Sequence, residues 1–145
     1  MSGYNVVPTL STGASGEFSA RISKDGTQIS YELSYSGFIT TVVQAHIHLG
    51  RTATNGGVIA FLCTNVGNGP AGTPACPPTS GTVTGTLTAS SVIGPFAQGI
   101  APGEFAELVR AIRAGATYAD VASVNFPGGE IRDQIDLAKG RKDEE

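Results

Sequence analysis

The stretch Glu17-Phe18-Ser19-Ala20-Arg21-Ile22-Ser23-Lys24-Asp25-Gly26-Thr27-Gln28-Ile29-Ser30-Tyr31-Glu32-Leu33-Ser34-Tyr35 decides the fold class. Phe18, Ala20 and Ile22 alternate with Ser19 and Arg21; after the turn Ile29, Tyr31, Leu33 and Tyr35 alternate with Ser30, Glu32 and Ser34. A period of two belongs to a strand with one buried face. Asp25-Gly26 between the two runs is a strong hairpin signal.

Outward from this hairpin the same grammar repeats. Val42 to Leu49, Val58 to Cys63, Thr82 to Thr88, Ala116 to Phe126 and Glu130 to Ile135 read as further strands. The continuous apolar run Val58-Ile59-Ala60-Phe61-Leu62-Cys63 suggests a strand covered on both faces. Gly85, inside its strand, marks a bulge or a close backbone approach. One segment breaks the pattern: Phe105, Leu108, Val109 and Ile112 fall on one helical stripe within about residues 104–114. Pro102 precedes that helix, Gly115 follows it, and its early glutamates and late arginines suit the helix dipole. The expectation is an all-β Greek-key sandwich or barrel of about seven to eight strands with one short helix. Residues 1–16 read as a lead-in, 17–136 as the domain, and 137–145 as a charged tail expected to fray.

Composition bounds the function. The chain has 145 residues, enough for one domain with its own core. Net charge is −3 and only 14% of residues are charged, so there is no basic footprint for nucleic acid. No apolar run approaches the ~20 residues of a membrane helix. Cys63 and Cys76 flank a loop rich in Gly, Pro and Asn, and they lack the CxxC spacing of metal or redox pairs. They read as a disulfide worth roughly 3 kcal/mol in the chain-entropy model, which implies an oxidising compartment. The start, Met1-Ser2-Gly3, has no basic region followed by an apolar segment. The expectation is a secreted, periplasmic or cell-surface protein whose signal has been removed.

Both histidines of the chain lie in Gln44-Ala45-His46-Ile47-His48-Leu49-Gly50. On a strand His46 and His48 share a face with Gln44, opposite Ala45, Ile47 and Leu49. Two imidazoles so placed suit copper or zinc, but a histidine metal site wants a third ligand. Asp120, Glu130, a backbone group or a second copy of the chain could supply it. The alternative is two hydrogen-bonded polar residues on a half-exposed sheet face. Glu130 shares a face with Arg132 and is read as an ion pair orienting the last strand. Gly128 and Gly129 after Pro127 are read as structural, with φ > 0. No Gly-x-Ser-x-Gly elbow is present, and no spacing marks paired carboxylates. No catalytic residue is assigned.

Ala45-His46-Ile47-His48-Leu49-Gly50 is similar to the histidine strand of the CHRD domain, the module first described in chordin. Gly81 to Thr88 with Val92-Ile93-Gly94-Pro95 and Gln98-Gly99-Ile100 resembles its central segment. Ala111-Ile112-Arg113-Ala114-Gly115, Tyr118, Phe126-Pro127-Gly128-Gly129-Glu130-Ile131-Arg132 and Gln134-Ile135 resemble its C-terminal signature. The resemblance implies a secreted β-sandwich; together with the missing catalytic constellations it leads to a non-catalytic binding or structural module as the expectation, with an extracellular protein as partner or, through His46 and His48, a metal ion. The family carries a histidine in a Tyr-Val-Asn-Val-His-Thr pattern; here Ala122 takes its place. The His-x-His strand also resembles that of copper/zinc superoxide dismutases, but such an enzyme needs further histidines and this chain has two in all.

Overall fold

The computed structural model describes residues 1–137. The charged stretch from 138 onward, read above as part of a fraying tail, lies outside the described residues.

Seven strands form two antiparallel sheets. They are β1 (Ser15–Ile22), β2 (Ile29–Ser36), β3 (Val42–Leu49), β4 (Val58–Thr64), β5 (Gly81–Leu87), β6 (Thr117–Ser123) and β7 (Ile131–Gln134). One sheet has the order β1-β2-β5 and the other β4-β3-β6-β7. The expected all-β class holds: the strands form a sandwich rather than a closed barrel. The Asp25-Gly26 hairpin pairs β1 with β2 in unbroken register from Ser15↔Ser36 to Ile22↔Ile29. The Asp25 carboxylate accepts bonds from the Ser23 and Thr27 side chains and the Thr27 amide, closing the turn.

The core lies between the sheets. Ile22, Ile29 and Leu33 from one sheet meet Ala45, Ile47, Ile59, Leu62, Val121 and Ile131 from the other, all fully buried. The helix α1 (Phe105–Arg113) adds Phe105, Leu108, Val109 and Ile112 to the same cluster. It ends in a Schellman arrangement: Gly115 donates to the Ile112 carbonyl and Ala116 to that of Ala111. Gly85 lies under the Tyr31 ring, in unbroken register with it, so it marks a close approach and not a bulge.

Three expectations are corrected. β4 is not covered on both faces throughout, because Val58, Phe61 and Thr64 are only half-buried. The strand expected to reach Phe126 stops at Ser123, where Ser123 and Phe126 exchange backbone bonds and turn the chain. The histidine face of β3 is drier than the half-exposed face expected: His46 is buried, and Gln44 and His48 are half-buried. The outer face of β6 and β7 carries Tyr118, Asp120, Ala122 and Arg132, all at most 3% exposed. Segments distant in sequence supply the cover. Ser2 exchanges backbone bonds with Arg132 beyond the β7 edge, Thr12 bonds Glu130, and the loop 50–57 folds over the other end.

The disulfide between Cys63 and Cys76 is formed. It ties the end of β4 to residue 76 of the loop that leads to β5. Inside the loop it closes, Asn65 exchanges side-chain bonds with the Cys76 backbone.

Candidate metal centre

β3 lies between β4 and β6, and the β3–β6 register places His46 directly opposite Asp120 and His48 opposite Tyr118. His46, His48 and Asp120 therefore project from neighbouring strands onto one face. Their donor atoms all lie within 4.8 Å of one another. Asp120 Oδ1 is 3.1 Å from His48 Nε2 and 3.7 Å from His46 Nδ1.

Hydrogen bonding fixes which ring nitrogens carry protons. His48 Nδ1 lies 2.8 Å from the Gly56 carbonyl. A carbonyl only accepts, so Nδ1 is the donor and neutral His48 keeps its lone pair on Nε2, facing Asp120. His46 Nε2 lies 3.2 Å from Gln44 Oε1; donation there leaves its lone pair on Nδ1, again facing Asp120. Two lone pairs and one carboxylate oxygen thus converge with no positive charge between them. With His48 neutral, its Nε2 and Asp120 Oδ1 are two buried acceptors 3.1 Å apart with no donor between them. Buried polar atoms without partners are rare and ask for an explanation. A cation, whether proton or metal, would satisfy all three atoms.

Protonation answers part of the need. Burial works against a charged His48 ring, but the Asp120 carboxylate and the Gly56 carbonyl together outweigh it and raise its pKa. Burial likewise pushes the Asp120 carboxyl up, and the two imidazoles more than reverse this, so it stays ionised.

The local sequence explains how His48 is held. Gly56 passes so close to Leu49 that a Cβ there would sit 1.8 Å from the Leu49 carbonyl oxygen. Only glycine lets this loop bring its carbonyl to His48 and its N–H to the Tyr118 hydroxyl. The Tyr118 ring stacks on His48 with centroids 4.8 Å apart. On Tyr118 lies the Arg132 guanidinium, 4.2 Å from the ring centroid. The terminal nitrogens of Arg132 donate to the Thr52 and Thr54 carbonyls and the Asn55 amide oxygen. His46 packs edge-on against Phe61 at 4.5 Å.

The remaining sequence candidates take other places. Glu130 is buried, and its two oxygens accept from the Thr12 and Ser123 hydroxyls, each at 2.5 Å. The expected Glu130–Arg132 ion pair is not formed, because the register sends Arg132 to the loop 52–55. Gly129 has φ 118°, while Gly128 does not take positive φ. A Cβ on Gly129 would lie 3.1 Å from Asp120 Oδ2, so this turn packs closely on the carboxylate. Ala122 pairs with Gln44, one step along the same face from the His46–Asp120 pair. Sequence reasoning did not find Tyr118, Gln44 and Gly56 as supports of the histidines. Only Gly56, in Asn55-Gly56-Gly57, carried a turn signal that pointed there.

The two carboxylate–imidazole separations suit a small divalent ion, within a donor group that spans up to 4.8 Å. Two ligands on a tetrahedral centre with bonds of about 2.1 Å lie about 3.4 Å apart, and the separations of 3.1 and 3.7 Å bracket this. Imidazoles that donate their second N–H to oxygen acceptors are the usual surroundings of metal-bound histidine.

Comparison with curated proteins and with solved structures finds no match. The family model of the CHRD domain matches residues 1–135. Its match takes in the histidine strand, the central segment and the Pro127-Gly128-Gly129 turn together, and the chain belongs to the CHRD domain family.

Proposed function

We propose that this CHRD domain is a non-catalytic extracellular or periplasmic module that binds one Cu²⁺ or Zn²⁺ ion through His46 Nδ1, His48 Nε2 and an Asp120 oxygen. The observation that carries this reading is the convergence of two imidazole lone pairs on a buried carboxylate oxygen without a hydrogen-bond partner. The disulfide supports the compartment, since such bonds persist where the surroundings are oxidising. Copper is favoured over zinc by intrinsic affinity, and imidazole suits both. Three protein donors leave a position for water or for a group from a partner.

Calorimetry with Cu²⁺ and Zn²⁺ on tag-free protein and on His46→Ala tests the reading. The expected result is one saturable site of micromolar affinity or tighter that His46→Ala removes. Absence of saturable binding would leave the pair as a proton-bridged structural contact. A superoxide assay on copper-loaded protein is expected to give no more activity than free copper.

A further inference from the structure

His48 takes its tautomer from a backbone carbonyl, but His46 faces the side-chain amide of Gln44. An amide can present either end to a ring. With its oxygen toward His46, Nε2 donates and the Nδ1 lone pair is free. With its nitrogen toward His46, Nε2 must accept, and the proton moves to Nδ1, where it blocks the site.

A chain of contacts from the disulfide loop selects the first arrangement. The Val66 amide donates to Thr64 Oγ1 at 3.2 Å, and a backbone N–H can only donate. Thr64 Oγ1 donates its own proton to Asn68 Oδ1 at 2.7 Å. That leaves the Asn68 amide nitrogen for Gln44 Oε1, at 3.1 Å. Gln44 Oε1 then accepts from both Asn68 Nδ2 and His46 Nε2. The Val66 N–H takes one lone pair of Thr64 Oγ1, and with the hydroxyl proton directed to Asn68 Oδ1 the remaining directions follow.

We infer that Gln44 and Asn68 are positioning residues that hold His46 in its Nε2–H tautomer, so that the loop closed by Cys63–Cys76 sets the metal affinity of the His46/His48/Asp120 centre. This rests on the metal-binding reading above. Asn68 is exposed, so substitutions there leave the fold intact.

The decisive variant is Asn68→Asp. A carboxylate can only accept, so the Gln44 amide turns its nitrogen toward residue 68 and toward His46. The His46 proton then moves to Nδ1. Charge alone would favour metal binding, because the substitution adds a negative group near the site. The relay gives the opposite sign: zinc affinity falls by about tenfold or more, the range usual for loss of a ligand's orienting partner. Gln44→Glu removes the orientation problem, since both carboxylate oxygens accept. In that background Asn68→Ala leaves zinc affinity unchanged, whereas in the wild-type background it lowers it.

The test uses the full chain. Nitrogen-15 imidazole spectra of the metal-free protein at mildly alkaline pH report the His46 tautomer, and calorimetry with Zn²⁺ reports affinity. The expected result is the Nε2–H form in wild type, a shift toward Nδ1–H in Asn68→Asp, and weaker zinc binding in that variant. An unchanged tautomer, or zinc affinity that rises with the added charge, overturns the relay. Failure of wild type to bind zinc would strike the metal reading alone, because the metal-free spectra judge the relay independently.

Discussion

Replacing Asp120 by Asn removes the negative charge of the centre while keeping its shape. The amide is isosteric, so the close packing under Gly129 survives. At the 3.1 Å separation from His48 Nε2, a unit charge pair at an effective dielectric near 20 is worth about 5 kcal/mol. Desolvation offsets part of this, and removing one partner of a buried pair typically costs about 3–5 kcal/mol. A metal ion that replaces the His48 proton loses at least the same attraction, so at about 1.4 kcal/mol per decade Asp120→Asn weakens Zn²⁺ binding by about 10² to 4 × 10³-fold. Competition against a chromophoric chelator at near-neutral pH measures the change. Glu130→Gln is the control: its oxygens serve Thr12 and Ser123, so zinc affinity stays close to that of wild type. Near-wild-type zinc binding by Asp120→Asn, or an equal loss in Glu130→Gln, would refute the assignment of Asp120 as the third donor.

Further outcomes follow from the same contacts. The raised pKa of His48 means that its stabilising proton is fully present below the ordinary histidine value of 6.5 and is lost as pH rises through the folded value. The lowered pKa of Asp120 acts at the other end: its contribution is present above 3.8 and is lost as pH falls through the folded value. The metal-free protein therefore loses denaturant resistance as pH rises above 6.5 through the raised folded value, while zinc affinity rises over that range because the His48 proton must leave; a midpoint that climbs with pH would contradict the ion pair. Replacing both Cys63 and Cys76 by Ala lowers unfolding free energy by about 3 kcal/mol, read from urea titration. Arg132→Lys forfeits the fork to Thr52, Thr54 and Asn55 and the stack on Tyr118, at about 2–4 kcal/mol; a urea midpoint equal to wild type would contradict its role.

Much of the fold is legible locally. The alternation of Ile29, Tyr31, Leu33 and Tyr35, the Asp25-Gly26 turn and the stripe Phe105, Leu108, Val109, Ile112 each state their element within a few residues. The pairing of Cys63 with Cys76 is equally local. The centre is not, because it depends on register between β3 and β6, more than seventy residues apart. A slip of one residue would send Asp120 to the opposite face of the sheet. From sequence alone Asp120 and Glu130 are both candidate third ligands. What separates them is pairing: Asp120 faces His46, whereas Glu130 reaches two hydroxyls. The burial of the histidine face was hidden for a similar reason. Its cover comes from the first fourteen residues and from the loop 50–57, and strand periodicity says nothing about what lies across a face.

The most direct test of the account is a zinc-edge anomalous difference map from crystals grown with one equivalent of Zn²⁺. The account predicts a single peak about 2.0–2.2 Å from His46 Nδ1, His48 Nε2 and an Asp120 oxygen. A map without a peak there, or with zinc bound through His46 Nε2 on the outer side of the ring, would contradict it.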